Sequence, residues 1–212
     1  VPYRGYEMTD VTLVPRPVNL PVEIWQPITS GRSIEFMAQH GIKGMVALTG
    51  EVMADEMISN YQLAYKNAGK DVALGENIAF GVGFYIADNK AEAMEKVRPY
   101  HDERYKWFAP FGYVRYTDEE GRPWGTPGAP ARTPRVEDGV EQKAWFCGSS
   151  EEFVSYLKGI EEKYPGLEDV VFQWPEGMPW AEFKEQLSLF AEDVMPLFSG
   201  AQIDSLTVPA ND

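Results

Sequence analysis

Apolar positions along the chain fall alternately into short continuous runs and helical periods. Residues 1–21 carry four prolines and no helical period, so an extended lead-in over the surface is expected. Val22–Thr29 (VEIWQPIT) then reads as a β-rich run, and Gly31-Arg32-Ser33 opens a helix with Ile34, Met37 and Ala38 at i, i+3, i+4, ending at Gly41. Lys43–Thr49 has strand length; Met53, Met57, Tyr61, Ala64, Tyr65 and Ala68 mark a longer helix stopped by Gly69. Asn77–Ala87 is a third strand, whose Gly81 and Gly83 suggest a bulge or close backbone approach. Asp88 or Asn89 caps a helix expected to turn Ala93, Val97 and Phe108 inward.

Residues 109–142 break this rhythm with proline and glycine and are too long for an ordinary connection, so they read as an insertion: a functional loop, a lid or a disordered segment. Ser149 or Ser150 caps a helix with Phe153, Leu157 and Ile160 on one face. Asp169–Trp174 is a fourth strand, and Phe183, Leu187, Phe190, Ala191, Val194 and Leu197 mark a last helix before a frayed tail at 199–212. Nearly continuous apolar strands alternating with helices predict an α/β fold, a parallel sheet with helices outside. Four strands make half of a (β/α)8 TIM barrel, which takes about 250 residues. A small open sheet and part of a barrel both satisfy the pattern.

At 44% hydrophobic residues, the 212-residue chain can bury a core without disulfide or metal staples, and it reads as a single domain. The single cysteine, Cys147, suits a reducing compartment, and no stretch resembles a signal peptide or spanning helix; cytoplasm is the expected location. Acidic residues outnumber basic ones 33 to 19, a net charge of −14 that argues against nucleic acid or an anionic membrane as partner. An anionic ligand would have to be captured by local geometry.

Thr29 to Ser33 offer such a geometry. A helix N-terminus presents unpaired N–H groups and the positive end of the dipole. Ser30 and Ser33 add hydroxyls, Gly31 admits a ligand to the backbone, and Arg32 offers charge-assisted hydrogen bonds. The same residues also read as a plain helix cap with an exposed arginine.

The stretch VTLVPRPVNLPVEIWQPITSGRSIEFMAQHGIKGMVA resembles the central region of the bacterial-luciferase-like flavin monooxygenases, in Pro15 and Pro17, strand 22–28, Ser30 and Ser33, and Ala38 to Gly41. Asp88–Ala93 after a strand, Phe146–Glu152 (FCGSSEE) and Ser188–Phe198 resemble further family motifs, in the right order. The resemblance implies a (β/α)8 barrel of which this chain supplies about four βα units, the C-terminal half. It implies an enzyme in which a reduced flavin and O2 oxidise an organic substrate. FMN is the implied cofactor, with a deazaflavin as alternative, and its phosphate falls to the amides near Thr29 and Ser30, the hydroxyls of Ser30 and Ser33, and Arg32. Trp25 or Gln26 is expected to face the flavin. The family's N-terminal half carries much of the flavin-ring surface and the usual catalytic histidine, so no catalytic residue is assigned. An N-terminal half-barrel polypeptide, a separate subunit or a second copy is the expected partner, with a flavin reductase as supplier of the reduced cofactor. A non-catalytic flavin-binding subunit is the rival reading.

Other candidates have simple expectations. His40 ends a helix and suits a dipole partner; His101, in the charged RPYHDERY, is expected at the surface. No zinc motif is present and no metal is expected. Cys147 reads as buried packing. Trp107, Phe108, Phe111, Tyr113, Tyr116 and Trp124 either line a pocket or anchor the insertion. GVG at 81–83 lacks the dinucleotide fingerprint.

Overall fold

The computed structural model describes residues 2–3, 5–7, 12 and 14–198; the tail expected at 199–212 and parts of the lead-in lie outside them. In chain order the elements are the antiparallel pair β1 (Pro2–Tyr3) and β2 (Tyr6–Glu7), then β3 (Trp25–Pro27), α1 (Gly31–His40), β4 (Lys43–Ala47) and α2 (Glu51–Asn67). There follow β5 (Ile78–Ile86), α3 (Lys90–Phe108), a 3-10 turn (Ala109–Phe111), α4 (Val136–Glu141), β6 (Trp145–Gly148) and α5 (Ser150–Lys163). The chain closes with β7 (Asp169–Phe172), α6 (Trp180–Leu189), a π turn (Phe190–Val194) and a 3-10 turn (Met195–Leu197). All pairings of β3 to β7 are parallel, which is the α/β architecture the alternation predicts. Among the described residues, no helix is long and apolar enough to cross a membrane.

The β1–β2 pair and α4 were not expected, and three further elements depart from the sequence expectation. The strand expected at 22–29 is ordered as strand only over Trp25–Pro27. β6 was not expected; at four residues it is too short for a period to show, and it runs directly into the α5 cap. The last helix widens and then tightens after Leu189 and does not continue as one α-helix.

β5 organises the sheet. In a parallel strand the N–H and C=O of one residue point to one edge and those of the next to the other. Gly81 O accepts from Leu48 N at 2.9 Å, Gly83 N donates to Ala144 O at 3.1 Å and Ala87 N donates to Gly148 O at 3.0 Å. These are odd positions, so β6 succeeds β4 along one edge. β7 holds the other edge, pairing Ala79 to Val82. Above it, the Gln186 side chain of α6 accepts from Ile86 N at 2.6 Å and donates to Ile86 O at 3.1 Å, taking the place of a strand.

The register also sorts the side chains by face. Pro27, Met45, Ala79 and Asp169 stand side by side on an inner face, with Trp25 beside Lys43 and Ala47 beside Gly81 and Val171. Gln26, Gly44 and Ile78 share the opposite, outer face with Val46, Phe80 and Val82. The outer face is covered except at its β7 edge, where Val170 is exposed: Ile28, Val46, Ile78, Phe80, Val82 and Phe84 form one core with Met37 of α1, Ile58 of α2 and Phe153 of α5. The inner face is covered only at its upper end, where Tyr85, Trp145 and Cys147 pack with Val97 and Tyr105 of α3, Val136 of α4 and Phe183 of α6. Below that, Pro27 and Asp169 are exposed, and Trp25, Lys43, Met45, Ala47 and Val171 are half-buried. Among the described residues no strand pairs with the free edges of β3 or β7. Ile24 O and Ile28 N bond to β4, so Pro27 turns its missing N–H to the free edge of β3 and costs no bond in the sheet.

Candidate functional site

The turn Thr29–Ser33 lies at the C-terminal end of β3, where the chain leaves the sheet and enters α1. Ile28 anchors it: its side chain is buried and its N–H donates to Met45 O at 3.0 Å. Ser30 is extended (φ −162°, ψ 160°) and caps α1. Its Oγ accepts from Ser33 N at 3.3 Å, while Ser33 Oγ accepts from Ser30 N at 3.2 Å and donates to Ser30 O at 2.7 Å. The two serines thus form a reciprocal capping box, a shorter version of the usual Ser-to-Glu pairing. At the far end, Gly41 is left-handed (φ 69°) and its N–H closes on Met37 O.

This arrangement leaves a set of donors without partners inside the helix. The amides of Gly31 and Arg32 have no carbonyl one turn earlier to bond. Thr29, Ser30, Gly31 and Arg32 are exposed, Ser33 is half-buried, and no partner of the Arg32 guanidinium is found among the described residues. A Cβ placed on Gly31 would meet nothing within 4 Å, so packing does not require glycine there. Four of the residues singled out by sequence therefore converge with Ser33 on one exposed helix start. Gln26 stands apart from them on the outer face, with Ile28. Trp25 is on the inner face, its Nε1 donating to Glu23 Oε1 at 2.5 Å while Lys43 Nζ lies 4.8 Å from its ring centre and 2.9 Å from Glu23 Oε2. Lys43 and Trp25 hold the Glu23 carboxyl below its ordinary pKa.

The expectation for His101 is overturned. α3 turns Ala93, Val97, His101 and Tyr105 inward at four-residue steps, and His101 is fully buried. Its ring packs 4.7 Å from Tyr105 and 5.3 Å from Trp145, with Nδ1 3.2 Å from Asp102 Oδ1. Nε2 and the neighbouring Trp145 Nε1 lack hydrogen-bond partners, and burial pushes the imidazole pKa down. α4 reaches this cluster because residue 139 is glycine: a Cβ there would stand 2.9 Å from both Tyr116 Oη and Trp145 Cδ1 and 3.2 Å from His101 Nε2. The four-residue spacing from Ala93 was the available signal; the dense charge around His101 masked it.

The insertion is packed at its base. Tyr116 is buried with its hydroxyl 2.7 Å from Tyr105 Oη, and Trp124 Nε1 donates to Thr117 O at 3.0 Å. Trp107, Phe111 and Tyr113 are exposed, so the aromatic group divides between anchors and surface. Cys147 is buried, its thiol pushed up to about 12 by desolvation, and is inert as a nucleophile. His40 is exposed against Phe36, 4.2 Å between ring centres. Among the described residues no group of three or more potential ligands could hold a metal. The close approaches expected at the strand glycines are present: a Cβ on Gly81 would stand 2.6 Å from Ala47 Cβ, and one on Gly83 would strike the Trp145 ring.

Several solved structures share this fold. The monooxygenase RslO1 from Streptomyces bottropensis aligns at 21% identity and TM-score 0.61, over 92% of this chain and 55% of that one. The oxygenating constituent of 3,6-diketocamphane monooxygenase from Pseudomonas putida, a type II Baeyer-Villiger monooxygenase in complex with FMN, aligns at 19% identity and TM-score 0.61, over 82% and 48%. An F420-dependent secondary alcohol dehydrogenase aligns at 12% identity and TM-score 0.55, over 92% and 54%. At these identities the likeness is one of fold, and the chain spans about half the length of the structures it matches. No curated protein matches the chain. The sequence itself matches the luciferase-like monooxygenase family over residues 1–164, well over half of its length, and the chain belongs to that family.

Proposed function

We propose that this chain is the C-terminal half of a luciferase-like barrel and that the first turn of α1 holds the phosphate of a flavin in a monooxygenase. The observation that carries the reading is the exposed start of α1 at a strand C-terminus, with amides that have no partner within the helix, an arginine without a partner among the described residues and a glycine that packing does not need. Barrel sites lie at this end of the strands. The half-barrel part is supported by the half-exposed lower inner face and by the outer edges of β3 and β7, with which no strand among the described residues pairs.

The residues fit a phosphate in distinct ways. The amides of Gly31 and Arg32 point along the helix dipole toward it. The Ser30 hydroxyl is only loosely engaged, 3.5 Å from Ser33 Oγ, and can turn to a ligand, whereas that of Ser33 is spent on Ser30 O at 2.7 Å, so Ser33 holds the turn in shape. Arg32 adds charge, and the Thr29 hydroxyl lies one residue before the cap. A bound reduced flavin would supply the electrons by which O2 oxidises an organic substrate. The protein's part is binding, orientation and exclusion of water. Trp25, on the inner face, is the strand residue on the lumen side, while Gln26 packs outward. The buried wall of Gly83, Tyr85 and Trp145 keeps the upper inner face dry, and residues 109–142 shape the pocket above it.

Titration of FMN into the complete assembly, followed by flavin fluorescence, tests the assignment. Arg32→Ala and the pair Ser30→Ala/Ser33→Ala should each weaken binding by roughly 10-fold or more, the value of a lost charge-assisted bond. Unchanged affinity in both would remove the phosphate from this turn. The likeness to an F420-dependent enzyme supports a second reading in which the same turn holds a deazaflavin phosphate. The absorption spectrum and mass of the released cofactor separate the two.

A further inference from the structure

We infer that a cleft between α2 and α5, on the outer face of the sheet, binds a small aromatic carboxylic acid. The cleft measures about 280 Å³, and its lining comes from α2, β5, the turn before β6 and α5, with none of it on β3 or β7. An apolar cavity of roughly 150 Å³ takes benzene, so this one has room for a ring and a short acid arm. The floor is apolar: Phe80 and Ile160 are buried at its base. Tyr156, Ile160 and Tyr164 recur at four-residue steps along α5 and its C-cap, so they share one face. Both phenol hydroxyls are engaged elsewhere, Tyr156 donating to Lys143 O at 2.7 Å and Tyr164 donating to Asp55, which leaves ring carbons to line the cleft. Gly159 lies beside them inside α5, where glycine weakens a helix relative to alanine. A Cβ there would meet nothing within 4 Å, so packing does not call for glycine. A ring lying against the helix backbone does.

Charge at the rim selects an acid. In a chain of net charge −14, this cleft is lined by Lys143 and Lys163 against the single carboxylate of Glu51. Glu51 bridges the two: Lys143 Nζ lies 2.8 Å from its Oε2 and Lys163 Nζ 3.0 Å from its Oε1. Lys163 also reaches Asp55 Oδ2 at 2.7 Å, whereas Lys143 has no second carboxylate among the described residues and is exposed. The Glu51 carboxylate thus stands where an incoming carboxylate would stand, between two ammonium groups. Lys143 can turn from it to a ligand and make the charge-assisted hydrogen bond there. An amine would be repelled by the same pair, and a neutral ring would gain nothing from it.

Titration of the chain with 3-phenylpropanoate, followed by NMR, tests the assignment without any flavin. The acid should bind about 10-fold more tightly than 3-phenylpropan-1-ol, which keeps the ring and lacks the charge, and than propanoate, which keeps the charge and lacks the ring. Two substitutions at the rim should act in opposite directions. Lys143→Gln should weaken the acid about 10-fold. Glu51→Gln, which removes the internal competitor, should tighten it. Gly159→Leu places a helix-favouring side chain in the open space and should abolish binding while the thermal unfolding curve keeps its cooperativity and midpoint. Absence of saturable binding to the wild type would overturn the inference. So would equal affinity for the alcohol, or weaker binding in Glu51→Gln, since either removes the carboxylate from between the lysines. Unchanged binding in a folded Gly159→Leu would put the ring outside this cleft.

Discussion

The two faces of one sheet have been treated differently by the sequence. On the outer face, Ile28, Val46, Ile78, Phe80, Val82 and Phe84 are large, apolar and buried under helices. On the inner face the residues at the same levels are smaller or polar, Ala47, Ala79, Gly81 and Asp169 among them, and the lower end is uncovered. The contrast teaches that the larger core lies on one side of the sheet, while the other side is packed only at its upper end. An ordinary open α/β sheet carries helices on both faces; here α3, α4 and α6 cover only the upper end of the second.

The strongest test of that contrast is Phe153→Ala. Phe153 is fully buried and stacks on Phe146 at 4.5 Å and Phe84 at 5.2 Å, at the centre of the outer core. Its loss should cost about 3–5 kcal/mol in urea unfolding. A like-for-like pair sharpens the comparison further. Val46 is 2% exposed on the outer face, while Val171 is half-buried on the inner one. Val46→Ala should cost about 2 kcal/mol and Val171→Ala less than about 1 kcal/mol. Equal costs would show that the inner face is packed in solution.

The covered upper end of the inner face has its own signature in pH. Burial lowers the folded-state pKa of His101, and this outweighs the opposing pull of Asp102 on α3 and of Asp138 and Glu137 on α4. Below the ordinary histidine value of about 6.5, the unfolded chain therefore takes up a proton that the folded chain resists, and stability falls as pH drops. The melting temperature should decline between pH 7.5 and 5.5 more steeply in the wild type than in His101→Phe, which cannot titrate at that position. Parallel declines would show that His101 does not control the upper cover.

The outer face was legible in the sequence and the inner one was not, for a physical reason. Helices and buried strands announce themselves by period, as Ile34, Met37 and Ala38 do in α1 and Phe153, Leu157 and Ile160 do in α5. The capping serines were equally plain, since a cap needs only local residues. His101 was misplaced because its neighbours in sequence are charged while its neighbours in space come from β6 and α4, elements too short to be read. Gln26 and Trp25 could not be told apart until the register fixed their faces, because strand parity is relative and needs a paired neighbour to become absolute.

Two glycines bring the comparison to the candidate site. Gly44 lies on the outer face, where an added Cβ would stand 2.7 Å from Ile78 Cδ1 and 2.9 Å from Ile28 Cδ1. Gly44→Ala should therefore cost about 1–3 kcal/mol through overpacking. Gly31 has open space in the same position and lies in the first turn of α1, so Gly31→Ala should leave unfolding within about 0.5 kcal/mol of wild type. The small effect is the informative one. If a phosphate approaches the backbone at this turn, the same methyl group should reduce FMN affinity in the complete assembly while the unfolding curve stays in place. If both measurements are unchanged, Gly31 is an ordinary first-turn residue, and the turn between β3 and α1 is a helix cap and nothing more.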